Sequence, residues 1–230
     1  MPVAIVTGGS KGFGRALATD LARDGWGLVI DGRTPGPLAE AARGLERLGA
    51  AVRALAGDIV DPGHRSDLLR AAEELGSLDL LVNNASTLGV SPLPRLEGYP
   101  LAELRRVYEV NTVAPLALVQ SALPRLRQRA GTLVSVSSDA AVEAYPGWGG
   151  YGSSKAALDH LHRVLAVEEP GLRIYQFDPG DMRTEMHQAA FPGEDIADRP
   201  EPATVVPSLR RLLDSGLPSG RYRAAELVPS

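Results

Sequence analysis

The 230-residue chain has no cysteine. Disulfide bridges, thiolate metal sites and cysteine nucleophiles are therefore excluded together. Histidine is scarce and scattered, at His64, His160, His162 and His187. The closest two stand two residues apart on a helical pattern and do not share a face. No zinc centre is expected, and no metal is assigned. Long apolar runs are missing as well. The longest uncharged one, Val110 to Pro124, is interrupted by Asn111, Thr112, Gln120 and two prolines. It falls short of the roughly eighteen apolar residues of a membrane span. The amino terminus shows no basic segment leading into an apolar stretch and a cleavage site, so a soluble, cytoplasmic protein without membrane contact is expected. Basic runs are absent too, and the formal charge is −4, which argues against a nucleic-acid partner. Lysine is the last scarcity. Of 24 basic residues only Lys11 and Lys155 are lysines, against 22 arginines. An ammonium and a planar guanidinium are not interchangeable. Codon bias gives such a count by chance, but that reading weakens if both lysines fall inside motifs.

What is present is the make-up of an ordinary soluble domain, with 44% apolar and 23% charged residues. At about 100–200 residues per domain, this length points to one domain. Short apolar runs at Val3–Thr7, Gly27–Ile30, Ala51–Ala56, Leu78–Val82, Gly131–Ser135 and Leu172–Phe177 read as strands. Helical patterns fall between and after them: Gly14–Asp24, Pro37–Leu48, Pro62–Leu75, Leu101–Ala130 with a break before Asn111, Tyr151–Val167 and Ala203–Asp214. Strands and helices that alternate imply an α/β fold, a doubly wound Rossmann-like parallel sheet of about seven strands with helices on both faces. Continuous apolar strands fit a sheet buried on both sides. No repeat, linker or low-complexity tract divides residues 1–230.

The first strand runs into Thr7-Gly8-Gly9-Ser10-Lys11-Gly12-Phe13-Gly14 and then straight into a helix. Such glycines let a backbone approach a pyrophosphate at a helix N-terminus, where free N–H groups and the helix dipole favour an anion. The spacing is neither G-x-G-x-x-G nor a triphosphate loop, since Arg15 and Ala16 stand where Lys and Ser or Thr would be required. A tight turn without a ligand is the plain alternative. The position between a strand and a helix favours a nucleotide.

This spacing resembles the short-chain dehydrogenase/reductase family, and four further motifs follow in register. They are Asn83-Asn84-Ala85-Ser86 after strand four, Asn111 within the long helix, Ser138 followed thirteen residues later by Tyr151-Gly152-Ser153-Ser154-Lys155, and Pro179-Gly180-Asp181-Met182-Arg183-Thr184-Glu185-Met186. Both lysines fall inside these motifs. The resemblance covers residues 3 to about 186. It implies a single NAD(P)-binding domain that interconverts a small-molecule carbonyl compound and its alcohol. It assigns Asn111, Ser138, Tyr151 and Lys155 to catalysis. Gly8, Ser10, Lys11, Gly12, Phe13, Gly14, Arg33, Asp58, Ile59, Asn84, Ala85, Tyr151, Lys155, Pro179, Gly180 and Thr184 are assigned to the cofactor. A phenol titrates near 10 in water, and a lysine one helical turn away is expected to stabilise its anion and lower that value. Ser138 would orient the substrate oxygen, and Asn111 would anchor a water joining Lys155 to solvent.

The choice of cofactor rests on the end of strand two, Val29-Ile30-Asp31-Gly32-Arg33. An acid there holds the ribose diol of NAD, and a cation accepts the 2′-phosphate of NADP. The family's discriminating acid would fall on Gly32, with Arg33 and Lys11 free to face the phosphate, so NADP(H) is favoured over NAD(H). A register shifted by one places Asp31 on the ribose and makes the enzyme NAD-dependent. A catalytically silent dinucleotide sensor is the rival of another class, and the intact Ser138, Tyr151 and Lys155 argue against it.

Three departures from the family pattern stand out. Ser86 replaces a motif glycine where backbone is expected to pass close to the cofactor. Asp178 precedes Pro179, where a small residue is usual, and Gly220-Arg221-Tyr222-Arg223-Ala224 lacks the usual glycine-rich close. The helix-poor stretch at about 186–200 reads as a substrate lid. His187 and Phe191 within it, with Tyr145 and Trp148, make either a partly aromatic pocket or a structural Trp148 beneath a mobile lid. The long helix beginning near Asn111 reads as apolar nearly all round, which suggests a homodimer or homotetramer through the long helices.

Overall fold

The computed structural model describes residues 1–227. Seven short segments form the strands: β1 (Val3–Val6), β2 (Gly27–Gly32), β3 (Val52–Ala56), β4 (Leu78–Asn83), β5 (Thr132–Val136), β6 (Arg173–Asp178) and β7 (Gly220–Arg223). They make one parallel sheet in the order β3-β2-β1-β4-β5-β6-β7. Successive side chains leave a strand on opposite faces. Ala4 and Val6 therefore enter one core, and Val3 and Ile5 the other. The first core is covered by α1 (Gly12–Arg23), α2 (Pro35–Glu46) and α8 (Pro202–Asp214). The second is covered by α3 (Pro62–Leu75), α5 (Ala114–Arg129) and α6 (Gly149–Glu168). Burial on both faces explains why the strands read as unbroken apolar runs.

The break expected before Asn111 is present as a π turn at Glu109–Val113, which contains Asn111 and joins α4 (Leu101–Tyr108) to α5. The structure departs from the sequence reading in three places. α5 is not apolar all round, because its outward side exposes Gln120, Ser121 and Pro124. The short polar run Gly220–Arg223 is a strand, paired to β6 from Tyr175↔Gly220 to Asp178↔Arg223. Within the helix-poor 186–200 stretch lies one short helix, α7 (Glu185–Ala190), capped by the Thr184 hydroxyl, which accepts the His187 N–H at 3.1 Å.

Strand order reverses between β1 and β4, and in open α/β sheets the crevice at that switch point takes the ligand. Beside it, α6 lies close against the turn Asp139–Ala141 that follows β5. Gly152 makes this approach possible, since a Cβ there would collide with the Ala140 carbonyl oxygen. Helix propensity favours alanine over glycine by about 1 kcal/mol, whereas forced overpacking costs about 1–3 kcal/mol. Gly152→Ala is therefore expected to lower the urea midpoint. A midpoint at or above that of the natural chain would show that α6 has room to move.

Candidate active site

The carboxyl end of the sheet opens into a cleft of about 1150 Å³. All of the residues assigned from the sequence line it except Gly14 and Asn111. Its first half is built on the loop after β1. The Thr7 hydroxyl accepts the N–H groups of Asn84 and Ala85, each at 3.0 Å. The Asn84 amide donates back to the carbonyls of Thr7 and Gly8 at 2.8 and 3.2 Å. These bonds lace the loops after β1 and β4 together at the switch point. Gly8 and Gly12 have φ of +65° and +52°, conformations that side chains rarely adopt. A Cβ on Gly14 would overlap the Asn84 amide and the Gly8 carbonyl, so this glycine supports the loop from behind. Lys11 gives α1 no side-chain cap, which leaves the first N–H groups of the helix available to an anion. Phe13 is buried, and its ring stacks on Phe177 at 5.8 Å between centroids.

Asp31 is held within the protein. Its Oδ1 accepts the Gly8 N–H at 2.6 Å, and its Oδ2 lies 3.0 Å from His64 Nε2. Both oxygens are engaged by the protein, and the side chain is buried. Asp31 thus fixes the glycine loop, a role that the strand-end pattern did not reveal. Gly32 follows, and a Cβ there would press on Ser10 Oγ at 2.7 Å. Arg33 lines the cleft next and has no ion pair among the described residues. Lys11 does have one, with Glu185 of α7 at 2.7 Å. The expected pairing of Lys11 and Arg33 across one site is thus altered, because Lys11 is drawn toward α7. Asp58 stands after β3. Burial opposes its charge, but the Val60 N–H at 3.1 Å, Arg106 and the nearby Arg33 together hold its carboxyl below the usual range.

The second half of the cleft gathers Ser138, Tyr151 and Lys155. Ser138 follows β5 and caps the turn Asp139–Ala141. Its hydroxyl accepts the Ala140 N–H at 3.2 Å and donates to Asp139 Oδ1 at 3.0 Å. Tyr151 sits in the first turn of α6, and the Ser138 and Ser86 hydroxyls act on its phenol. Lys155, one turn further on, puts Nζ 5.6 Å from the Tyr151 ring centroid and donates to the Val136 carbonyl at 2.9 Å. Both side chains are buried. Burial pushes the Tyr151 phenol up, against the hydrogen bonds of Ser138 and Ser86. Burial pushes the Lys155 ammonium down to about 8, against the pull of Asp159. The sequence leads one to expect a phenol lowered by the lysine. Desolvation governs here, and the ammonium, which donates to a backbone carbonyl, is not among the groups that shift the phenol.

Two further assignments change in detail. The Asn111 amide donates to the Thr87 carbonyl at 2.9 Å and to Ser154 Oγ at 3.0 Å. Its oxygen accepts from the Thr87 N–H at 2.9 Å and from Ser86 Oγ at 3.1 Å. A side chain so fully bonded has no capacity for a water, so the water anchor expected of the Asn111 side chain is not available. Ser86 turns toward Asn111 and Tyr151. The change from glycine thus adds a hydroxyl to the reaction centre.

The outer wall is apolar and aromatic. Trp148 meets Tyr151 edge-on at 5.7 Å and Phe191 at 5.9 Å, and the His187 ring lies 4.9 Å from Phe191. Leu88, Ala140 and Ala190 pack into the same cluster, with Met186 against it. Tyr145 is half-exposed and donates to Asp139 Oδ2 at 3.0 Å. His162 is a structural histidine, buried against Ser135 Oγ at 2.7 Å and pushed down by burial to about 4. Sequence reasoning assigned no role to Asp159 and Arg221, and read Asp31 only as a possible ribose ligand. Of the two unassigned residues only Asp159 carries a local signal, standing four residues after Lys155 on one helix face.

A glycine cradle at a helix start, joined to a buried Ser–Tyr–Lys group in one cleft, defines an oxidoreductase site built for a dinucleotide. A family model described as short chain dehydrogenase matches residues 2–195. Sepiapterin reductase of Mus musculus is 36% identical over 204 residues, covering 82% of this chain and 77% of the relative. An alcohol dehydrogenase of the archaeon Thermococcus sibiricus, in complex with 5-hydroxy-NADP, superposes with a TM-score of 0.87 at 26% identity, covering 100% of this chain and 99% of that one. A 7α-hydroxysteroid dehydrogenase in complex with NADH and 7-oxo glycochenodeoxycholic acid gives 0.87 at 26% identity, covering 96% and 92%. The chain belongs to the short-chain dehydrogenase family. It is an oxidoreductase acting on alcohol or carbonyl groups, and it takes a nicotinamide dinucleotide.

The bond between Asp31 and the Gly8 N–H carries a test. A hydrogen bond to a charged group contributes about 1.5–3 kcal/mol. Asp31→Ala frees the loop beneath any dinucleotide, so affinity for NADPH and NADH should fall together, each by roughly ten- to a hundredfold. Loss of NADH binding alone, in fluorescence titrations, would put Asp31 on the ribose after all.

Proposed function

We propose that the chain interconverts a carbonyl compound and its alcohol with NADP(H), using Tyr151 as the general acid and base. The observation that carries this reading is the buried Tyr151 phenol, gathered with Ser138 in one cleft and with the Lys155 ammonium 5.6 Å from its ring centroid. When bound, the dinucleotide supplies or accepts the hydride. In reduction, Ser138 holds the substrate oxygen and Tyr151 gives it a proton as negative charge develops there. A phenol held above its ordinary range is fully protonated at neutral pH and ready to donate. The Lys155 cation then stabilises the phenolate left behind until solvent returns the proton. In oxidation the same groups act in reverse. The aromatic wall of Trp148 and Phe191, and the name of the mouse relative, support a carbonyl carried on a flat, ring-bearing molecule.

The family accepts either dinucleotide, so the preference for NADP(H) rests on residues after β2. Gly32 offers no carboxylate, Asp31 has both oxygens engaged, and Arg33 lines the cleft without a partner of opposite charge among the described residues. A 2′-phosphate beside Arg33 gains a charge-assisted contact. At Lys11 it must first compete with Glu185.

Two measurements test the reading. NADPH consumption against a panel of ring-bearing ketones should show an alkaline limb near pH 8. The ammonium is present below the Lys155 value of about 8 and lost above it. Tyr151→Phe should lower kcat by about a hundredfold or more, the range of general acid catalysis, and leave the Kd for NADPH almost unchanged. A Phe variant that keeps most of its turnover sinks Tyr151 as the acid. For the cofactor, Arg33→Ala should raise the Kd for NADPH by roughly ten- to a hundredfold, and that for NADH by less than about threefold. Equal losses for both cofactors would remove Arg33 from the phosphate.

A further inference from the structure

Two of the departures from the family pattern meet in space. Arg221, from the polar strand β7, lies 2.8 Å from Asp178 at the end of β6. The same Nη2 donates to the Ser138 carbonyl at 2.9 Å. Arg221 Nε stands 3.4 Å from Asp159 Oδ2, and that oxygen accepts the Ser137 hydroxyl at 2.6 Å. Asp178 completes the set, its Oδ1 accepting the Gly180 N–H at 3.0 Å. One guanidinium therefore ties together the end of β5 at Ser137 and Ser138, the turn after β6, and α6 one turn beyond Lys155.

Asp159 is the informative member. It is buried, and its Oδ1 has no hydrogen-bond partner among the described residues. It follows Lys155 by four residues on α6, so the two side chains are neighbours on one face. Lys155 Nζ makes a single hydrogen bond, to Val136, which leaves two of its three donors free. Other charged or titratable groups approach from every side: Tyr151 on the same helix, Asp139 after β5, Asp178 on β6, and Arg221 and Arg223 on β7, Arg223 Nε being 3.9 Å from Asp178. An unsupported carboxylate in such a place would be neutral. Burial does push Asp159 up, and Ser137, Arg221 and Lys155 oppose that push.

We propose that Asp159 is the buried counter-ion of Lys155, and that Arg221 is a positioning residue that holds Asp159 and the Ser138 backbone in place. The proposal rests on the reading of Tyr151 and Lys155 given above. Asp159 touches neither substrate nor reacting atoms. It acts by keeping the ammonium charged beneath the phenol.

Lysine scarcity makes a direct test possible. Lysine-selective ¹³C labelling of the full chain gives signals from Lys11 and Lys155 alone, and Lys11→Arg assigns them. In the natural chain the Lys155 side chain should titrate near 8. Asp159→Asn keeps the volume and the Ser137 acceptor but removes the charge. Its Lys155 midpoint should fall by about one unit or more, a tenfold change in the ionisation constant, with Lys11 unmoved. The alkaline limb of NADPH turnover should shift by the same amount, and Asp159→Glu should restore part of it. Asp159→Ser carries the same expectation if the Asn variant does not fold. Arg221→Lys keeps a charge but loses the fork by which Nη2 holds Ser138 and Asp178 while Nε faces Asp159. It should lower kcat by roughly ten- to a hundredfold, the effect of misplacing a catalytic group, with the Kd for NADPH almost unchanged. A Lys155 midpoint that stays put in a folded Asp159→Asn or Asp159→Ser chain overturns the counter-ion assignment. Full turnover in Arg221→Lys overturns the positioning role. If the midpoint falls as expected but Tyr151→Phe remains active, the catalytic reading of Tyr151 fails and the counter-ion assignment stands.

Discussion

A guanidinium carried in on the last strand meets two buried carboxylates at the reactive end of the sheet, and three elements take their positions from it. Asp159 and Asp178 are 5% and 2% exposed, and burying a carboxylate without a partner is costly. Buried ion pairs of this kind add little net stability over an apolar replacement, yet removing one partner costs about 3–5 kcal/mol. What such a group gains for the fold is a definite arrangement. Arg221 reaches two carboxylates and a backbone carbonyl at once, which calls for a planar fork and not a point charge. β7 is an edge strand with little apolar surface, and this contact gives it a fixed place beside β6.

The cofactor end obeys the same constraint with different groups. In a parallel sheet each strand ends in a loop whose backbone polar groups lack a ladder partner, and buried ones must find bonds elsewhere. Thr7, Asn84 and Asp31 supply them for the glycine loop, as Asp178 does for the turn at Gly180. The polar side chains at the strand ends therefore act alike. They hold neighbouring loops rigid, so that glycines and helix N–H groups meet a ligand without rearranging. His64 extends the pattern one layer back. It packs so close to Gly57 that any side chain there would strike its ring.

Much of this was legible in the sequence because its causes are local. Helix α3 begins at Pro62 and ends at Leu75 in both pattern and structure, with the Asp61 side chain capping its start. The core strands announce themselves through apolar runs, and the motif residues gather in one cleft because spacing along alternating strands and helices fixes which loops share an edge. What was not legible depends on partners far away in the chain. Arg221 and Asp178 are 43 residues apart, and Arg221 and Ser138 are 83 apart. Nothing within Gly220–Arg223 marks it as a strand, since its side chains are polar and only half-buried. Asp31 read as a possible ribose ligand because a strand-end carboxylate looks the same in sequence whether it faces solvent or a neighbouring loop. The pattern shows a break before Asn111 but not that it is a π turn, because the residues on either side keep helical periodicity.

The charge states at the reaction centre show how far burial governs this site. Taken as an isolated pair, a phenol and an ammonium would each favour the other's charged form. Here both are moved toward neutrality, the phenol up and the ammonium down to about 8, because burial desolvates each of them. The outcome suits reduction at neutral pH. Tyr151 keeps the proton it must give, and Lys155 keeps the charge that must receive the phenolate. The margin is narrow for the lysine, whose value of about 8 lies close to neutrality. Without Asp159 one turn away, burial would act on the ammonium unopposed. Two hydroxyls, Ser138 and Ser86, oppose burial at the phenol in the same way. Each reacting group is thus held between a desolvation that neutralises it and a small polar neighbour that restrains the shift. In the phenol's case one of those neighbours stands where the family pattern has a glycine.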